Sequence, residues 1–337
     1  MQLDELLKPK ILIVSGKGGV GKTTVSAALA LVAARAGHKV CIAEVDRKGT
    51  LPKLFGRGGR RIEDRPTLGY EPREIAPGVW GMNIVPEEAL AEYLDVQYHM
   101  KRISKAFTST HFVDYITTAA PGLKDILVLG KIWYLERDRS GRKDEFDTII
   151  VDAPAAGHML TFLSAPMGLS DALRVGPVRK QSDWLIEMLR DPERTRVHLV
   201  TLPEEMPVTE TLETASALEG DIGINSGVVF ANAVYTELFN EQEEQNLDSM
   251  IGKDDPAPLV EQAQKVGLKL DDDDLEALLG YGRFLEARRR IQTDHLTQLR
   301  KGVGQPVVEL PFLFSAGLAL PDVENLADVI EEQVQKL

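Results

Sequence analysis

The chain has 337 residues, 43 % of them hydrophobic and 27 % charged, with a formal net charge of −13. That length fits one large domain or two smaller ones, and the apolar share suffices for a sizeable core. The acidic balance disfavours nucleic acid as a partner, and a single cysteine, Cys41, excludes an internal disulfide and a cysteine-held zinc or iron–sulfur centre within one chain.

The N-terminus, MQLDELLKPK, lacks the apolar stretch and small-residue cleavage site of a signal peptide. No run approaches the ~20 apolar residues of a membrane span. The expectation is a soluble, cytoplasmic protein without stable membrane insertion.

Residues 11–14, ILIV, form a short apolar run, followed by a glycine loop. The alanine-rich stretch 23–37 reads as a helix stopped by Gly37, and 39–45, KVCIAEV, as the next strand. This strand–loop–helix–strand opening is a βαβ start. Further strands are predicted at 146–152, 196–202, 227–232 and 306–310, with helices at 208–219, 257–266, 272–299 and 322–336. Continuous apolar strands between helices argue for a mostly parallel sheet covered on both faces. Residues 86–138 and 159–190 read as helical inserts packing together above the carboxyl ends of the strands. In the first, Ile126, Leu129 and Trp133 share one helical face. Segments 56–61 and 137–145 combine glycine with clustered charge and read as exposed loops.

GKGGVGKT, 16–23, satisfies the phosphate-loop pattern and stands in the required context, after a strand and before a helix. Gly16, Gly18, Gly19, Val20 and Gly21 would turn backbone N–H groups around phosphate oxygens, helped by the positive end of the helix. Lys22 would reach the β and γ phosphates and Thr23 would ligate Mg²⁺. Thr24 would steady the α phosphate or the helix start. Lys17 exceeds the minimum. It is either a solvated lysine on the lip of the loop or a charge that reaches nucleotide held by a facing subunit, as an arginine finger does. Asp152 ends an apolar strand and is either a Mg²⁺ ligand or a helix cap. Asp46 ends the second strand and either orients the attacking water or is loop solvation.

KGGVGKTT, 17–24, resembles the deviant phosphate loop of the family that holds partitioning ATPases, nitrogenase iron protein, the arsenite-pump ATPase and the Get3 targeting factor. The resemblance implies an α/β P-loop NTPase fold with a helical insert subdomain, a single ATPase domain over 1–337, and ATP with Mg²⁺. It implies that Lys17 crosses a dimer interface, either of identical chains or with a related ATPase. VDAPAAGHMLTFLSAP, 151–166, resembles the second switch of the arsenite-pump and Get3 branch through Asp152, Ala153, Pro154, Gly157 and His158. DRKGTLPKLF, 46–55, resembles its first switch through Asp46, Leu51 and Phe55, while Arg47, Gly49 and Lys53 depart from it. Asp46 thereby takes the water-positioning role. His158 is either a switch residue coupling nucleotide state to the following helix or a structural histidine. Asn232 ends the fifth strand where the family contacts adenine, and ELPFLF supplies Pro311 and Phe314 to the loop beyond the last strand. PGLKD, 121–125, resembles a stretch of the Get3 insert.

No arsenite or zinc site is expected, because the cysteines those functions use are missing and Cys41 sits between strand residues Val40 and Ile42. The leading expectation is a Mg²⁺-dependent ATPase dimer that targets or chaperones an apolar protein client. Leu127, Leu129, Ile132, Trp133, Met159, Leu160, Phe162, Leu163, Met167, Trp184 and Met188 either line a client groove or form a helix–helix core. The alternatives are a positioning ATPase on membrane or nucleoid and a regulatory ATP-binding subunit with little turnover. The acidic tail, LADVIEEQVQKL, and the short cluster Arg288, Arg289 and Arg290 argue poorly for the first of these.

Overall fold

The computed structural model describes residues 2–45, 49–56, 68–98, 122–137, 145–173, 175–237 and 257–337. Its strands are β1 (Ile11–Gly16), β2 (Val40–Glu44), β3 (Arg73–Ala76), β4 (Val79–Asn83), β5 (Thr148–Ala155), β6 (Thr195–Thr201), β7 (Ser226–Val234) and β8 (Val307–Pro311). They form one sheet in the order β3-β4-β2-β5-β1-β6-β7-β8. All neighbours are parallel except β3 with β4. The fold is therefore an α/β P-loop NTPase with a mostly parallel sheet.

Alternation along the strands sends their side chains to two cores. Ile11, Ile13, Cys41, Ala43, Ile149 and Val151 join one of them. That face is covered by α5 (Leu123–Glu136), α6 (Ala156–Ala172) and α7 (Pro177–Arg190), and by parts of α8 (Glu205–Ala217) and α10 (Asp272–Gly302). Leu12, Val14, Val40, Ile42 and Ile150 join the other, under α2 (Lys22–Arg35), α3 (Leu51–Leu54) and α11 (Leu320–Lys336). The other helices among the described residues are α1 (Leu3–Leu7), α4 (Pro86–Tyr98), α9 (Ala257–Lys265) and a π-helical turn at Leu218–Ile222.

All six strands expected from the apolar runs are present. The hairpin β3–β4 was not anticipated, although Pro77-Gly78 between two short strands is a turn signal, and Gly78 takes φ +78° there. Among the described residues of the two inserts, α5, α6 and α7 share one core with the sheet. Most of segments 56–61 and 137–145 lies outside the described residues.

Candidate functional site

The loop after β1 is shaped by two close approaches. A Cβ on Gly16, at φ +156°, would lie 2.0 Å from the Val200 carbonyl oxygen of β6. One on Gly21, at φ +95°, would lie 2.3 Å from Asn232 Nδ2. Only glycine fits either position. Val20 is buried, and Gly18 and Gly19 are exposed on the lip. Lys22 opens α2 and is buried, its ammonium donating to the Gly16 and Lys17 carbonyls at 3.1 Å. Its charge thus lies inside the loop. Among the described residues no side chain caps the start of α2, which leaves its first-turn N–H groups available to an anion. Thr24 is buried in the first turn of α2.

Val14 and Asp152 are register partners across β1 and β5. This puts Asp152, 3 % exposed, beside the loop, where the Thr23 hydroxyl donates to Oδ2 at 2.6 Å. A phosphate-bound Mg²⁺ takes one or two protein ligands and fills the rest with phosphate oxygens and water. Thr23 and Asp152 fit that need. Among the described residues no trio of His, Cys, Asp or Glu converges, and this mode of binding does not require one. Glu44, in register with Asp152 on β2, is also buried here. Burial pushes its carboxyl pKa up, the Leu51 amide opposes this, and the charge of Asp152 adds to it.

β5 passes through Pro154 and α6 starts at Ala156 with no linker. Ser15 in β1 donates to the Pro154 carbonyl at 2.8 Å, tying the loop strand to this turn. Gly157 and His158 are exposed in the first turn of α6. His158 faces Asp125 of α5, whose carboxyl pKa is raised by burial and lowered by the histidine charge. Asp46 lies outside the described residues. The following Leu51 and Phe55 are buried against the α2 side of the sheet.

Asn232, on β7, donates to the Val20 carbonyl at 2.8 Å and so braces the phosphate loop. Pro311 ends β8 in register with Val234. Phe314 is 70 % exposed and packs with Phe312 and Tyr235, whose rings stack at 4.8 Å. Lys17 is ion-paired with Glu210 of α8 in the same chain. Glu44, Ser15, Glu210, Phe312 and Gln292 were not singled out from sequence. Only Glu44, a carboxylate closing the apolar run VCIA, carried a local signal.

The apolar set divides between the two readings. Leu129, Ile132, Met159, Phe162, Leu163 and Met188 are core residues, because the inner faces of α5, α6 and α7 meet one another and the sheet. Leu127, Trp133 and Trp184 instead line a cavity of about 260 Å³ between α4, α5 and α7. Trp133 and Trp184 stack at 5.3 Å. Lys131, in the cavity wall, pairs with Glu92 at 2.8 Å, and the Tyr70 hydroxyl donates to the same carboxylate. Cys41 is a buried core thiol, its pKa pushed up to about 12 by burial.

Residues 9–183, which include the phosphate-loop motif, Asp152 and the stretch 151–166, match the anion-transporting ATPase family. The chain belongs to that family. It is an ATP-hydrolysing P-loop enzyme. ATPase BagA of Mycobacterium tuberculosis is 33 % identical over 332 residues, covering 96 % of this chain and 93 % of that protein. A putative arsenical pump-driving ATPase of Halobacterium salinarum is 26 % identical over 251 residues, covering 69 % of this chain but 36 % of that protein. An arsenical pump-driving ATPase of Escherichia coli is 28 % identical over 253 residues, 69 % of this chain and 41 % of that protein. No helix among the described residues is long and apolar enough to cross a membrane.

Proposed function

We propose that this ATPase works as a nucleotide-gated dimer, of identical chains or with a related ATPase, and uses Mg²⁺-dependent hydrolysis to move a helical insert that handles an apolar protein client. The observation that carries the reading is the unbroken passage from Asp152 through Pro154 into α6, whose Met159, Phe162 and Leu163 pack in one core with α5 and α7. A shift at the phosphate end of β5 must therefore be felt by the insert helices, since a close-packed core transmits displacement.

Bound Mg²⁺ would neutralise phosphate charge. Thr23 and Asp152 would hold it. Lys22 would neutralise charge developing on the γ phosphate, and Asp46 would orient the attacking water. Lys17 would leave Glu210 and reach the nucleotide of the facing subunit. Asn232, Pro311 and Phe314 would surround the base. The cavity beside Trp133 and Trp184, and not the buried faces of α5 and α6, would receive apolar side chains of the client.

Hydrogen exchange of α5 and α7 with ATP, ADP and no nucleotide tests the coupling. Protection of these helices should differ between ATP and ADP in the wild type, and Asp46→Asn should hold the ATP pattern because turnover stops while binding continues. Identical exchange in all three states, with nucleotide bound, sinks the reading.

A further inference from the structure

Val40 and Ile42 of β2 and Ile150 of β5 face the core under α2, while Cys41, Ala43 and Val151 face the opposite one. Strand alternation puts Glu44 and its register partner Asp152 on the α2 side together. Thr23 of α2 meets Asp152 there. Glu44 is 2 % exposed, and its two carboxylate oxygens have different surroundings. Oε1 accepts the Leu51 amide at 3.3 Å, where α3 begins inside the stretch that resembles a first switch. Oε2 is fully buried and makes no hydrogen bond of normal geometry among the described residues, although the Thr50 and Gly49 amides lie close enough to the carboxyl to favour its charged form.

A buried carboxylate oxygen without a partner is costly and is tolerated where a ligand completes it. Beside a second carboxylate, the completing group must bring positive charge or a polarised O–H. Water in the shell of a divalent cation brings both. We infer that Glu44 is a positioning residue for the metal–nucleotide centre: one oxygen anchors Leu51 within the first-switch stretch, and the other orients water bound to the cation held by Thr23 and Asp152. Metal loading and the seating of the first switch are thereby joined in one side chain. This rests on the metal-dependent ATPase reading above and assigns a residue that reading does not use.

The test uses the full chain with Mn²⁺ as the probe and a non-hydrolysable ATP analogue, followed by electron paramagnetic resonance. Glu44→Gln keeps the shape and the acceptor for Leu51 but removes the charge. Mn²⁺ affinity in the presence of the analogue should fall at least about tenfold, the usual effect of losing a group that orients metal ligands. Analogue affinity in EDTA should stay within twofold of wild type. Glu44→Asp keeps the charge beside Asp152 and should retain Mn²⁺ affinity within about threefold, which also guards against a misfolded glutamine variant. Unchanged Mn²⁺ affinity in Glu44→Gln, with the wild type metal-dependent, overturns this inference alone and leaves Glu44 as a neutral structural acid. A wild type that binds the analogue equally well with and without metal overturns the parent reading and this inference together.

Discussion

Lys17 on the lip of the phosphate loop is ion-paired with Glu210 of α8, within a single chain. Both side chains are about one-third exposed, at 33 % and 35 %, so water competes for both partners. A pair of this kind contributes less than ~1 kcal/mol. It can hold the lysine at rest and still release it to a phosphate, which offers two charged oxygens in a drier setting.

Replacing either partner separates these roles. Lys17→Ala should keep ATP binding within about twofold and lose nucleotide-driven assembly and turnover. Glu210→Gln should lower the ATP concentration needed for assembly by up to about fivefold, the reach of an exposed ion pair. Light scattering with ATP analogues, alongside phosphate release, reads both. Unchanged assembly and turnover in Lys17→Ala would remove the lysine from catalysis.

Asn232 touches the phosphate loop directly through the Val20 carbonyl. If its amide also reads the base, Asn232→Ala should reduce the preference for ATP over GTP by about tenfold, the value of a lost polar pairing of ~1–2 kcal/mol. Competition between the two nucleotides measures this. Equal weakening of both would confine Asn232 to bracing the loop.

The next residue, Ala233, has φ +57°, a left-handed conformation that costs an L-residue ~1 kcal/mol or more. Gln292 of α10 holds it in place. Its Nε2 donates to the Ala233 carbonyl at 2.9 Å and its Oε1 accepts the Tyr235 amide at 2.8 Å. Gln292→Leu should destabilise the chain by ~2 kcal/mol through two lost backbone partners. It should also weaken ATP binding, because Asn232 precedes the strained residue. Adding Ala233→Gly should recover part of both. Chemical denaturation and ATP titration of the three chains provide the check, and intact binding in Gln292→Leu would show that the strand end needs no clamp.

His198 lies buried in β6 and accepts the Val228 amide at 3.0 Å. Burial pulls its pKa down to about 4, the Val228 backbone opposes this, and the charge of Arg196 assists it. The folded value lies below the ordinary ~6.5, so the unfolded chain takes the proton first. The contribution to stability is complete above pH ~6.5 and is lost as pH falls toward 4, amounting to about 3 kcal/mol. Thermal unfolding from pH 7.5 to 4.5 should show this decline, and His198→Gln should flatten it. The same slope in the variant would assign the decline to carboxylates.

Strand positions and the phosphate loop were legible because they depend on short-range chemistry. An apolar run such as ILIV has one stable place in a covered sheet, and glycines at 16 and 21 signal a backbone that side chains would obstruct. The partners of those groups were not legible. Glu44 and Asp152 are 108 residues apart and meet only because β2 and β5 pair in register. Lys17 finds Glu210 across 193 residues, and Asn232 finds Val20 across 212. Candidate groove residues could not be divided into core and cavity wall by helical spacing. Met159 and Trp184 both suit an apolar face, and only the packing of α5, α6 and α7 buries the first and exposes the second. Local composition thus determined most of the strands and the glycine loop between β1 and α2. Tertiary packing decided which side chains gather beside that loop, because burial and contact belong to pairs of elements that the chain brings together only on folding.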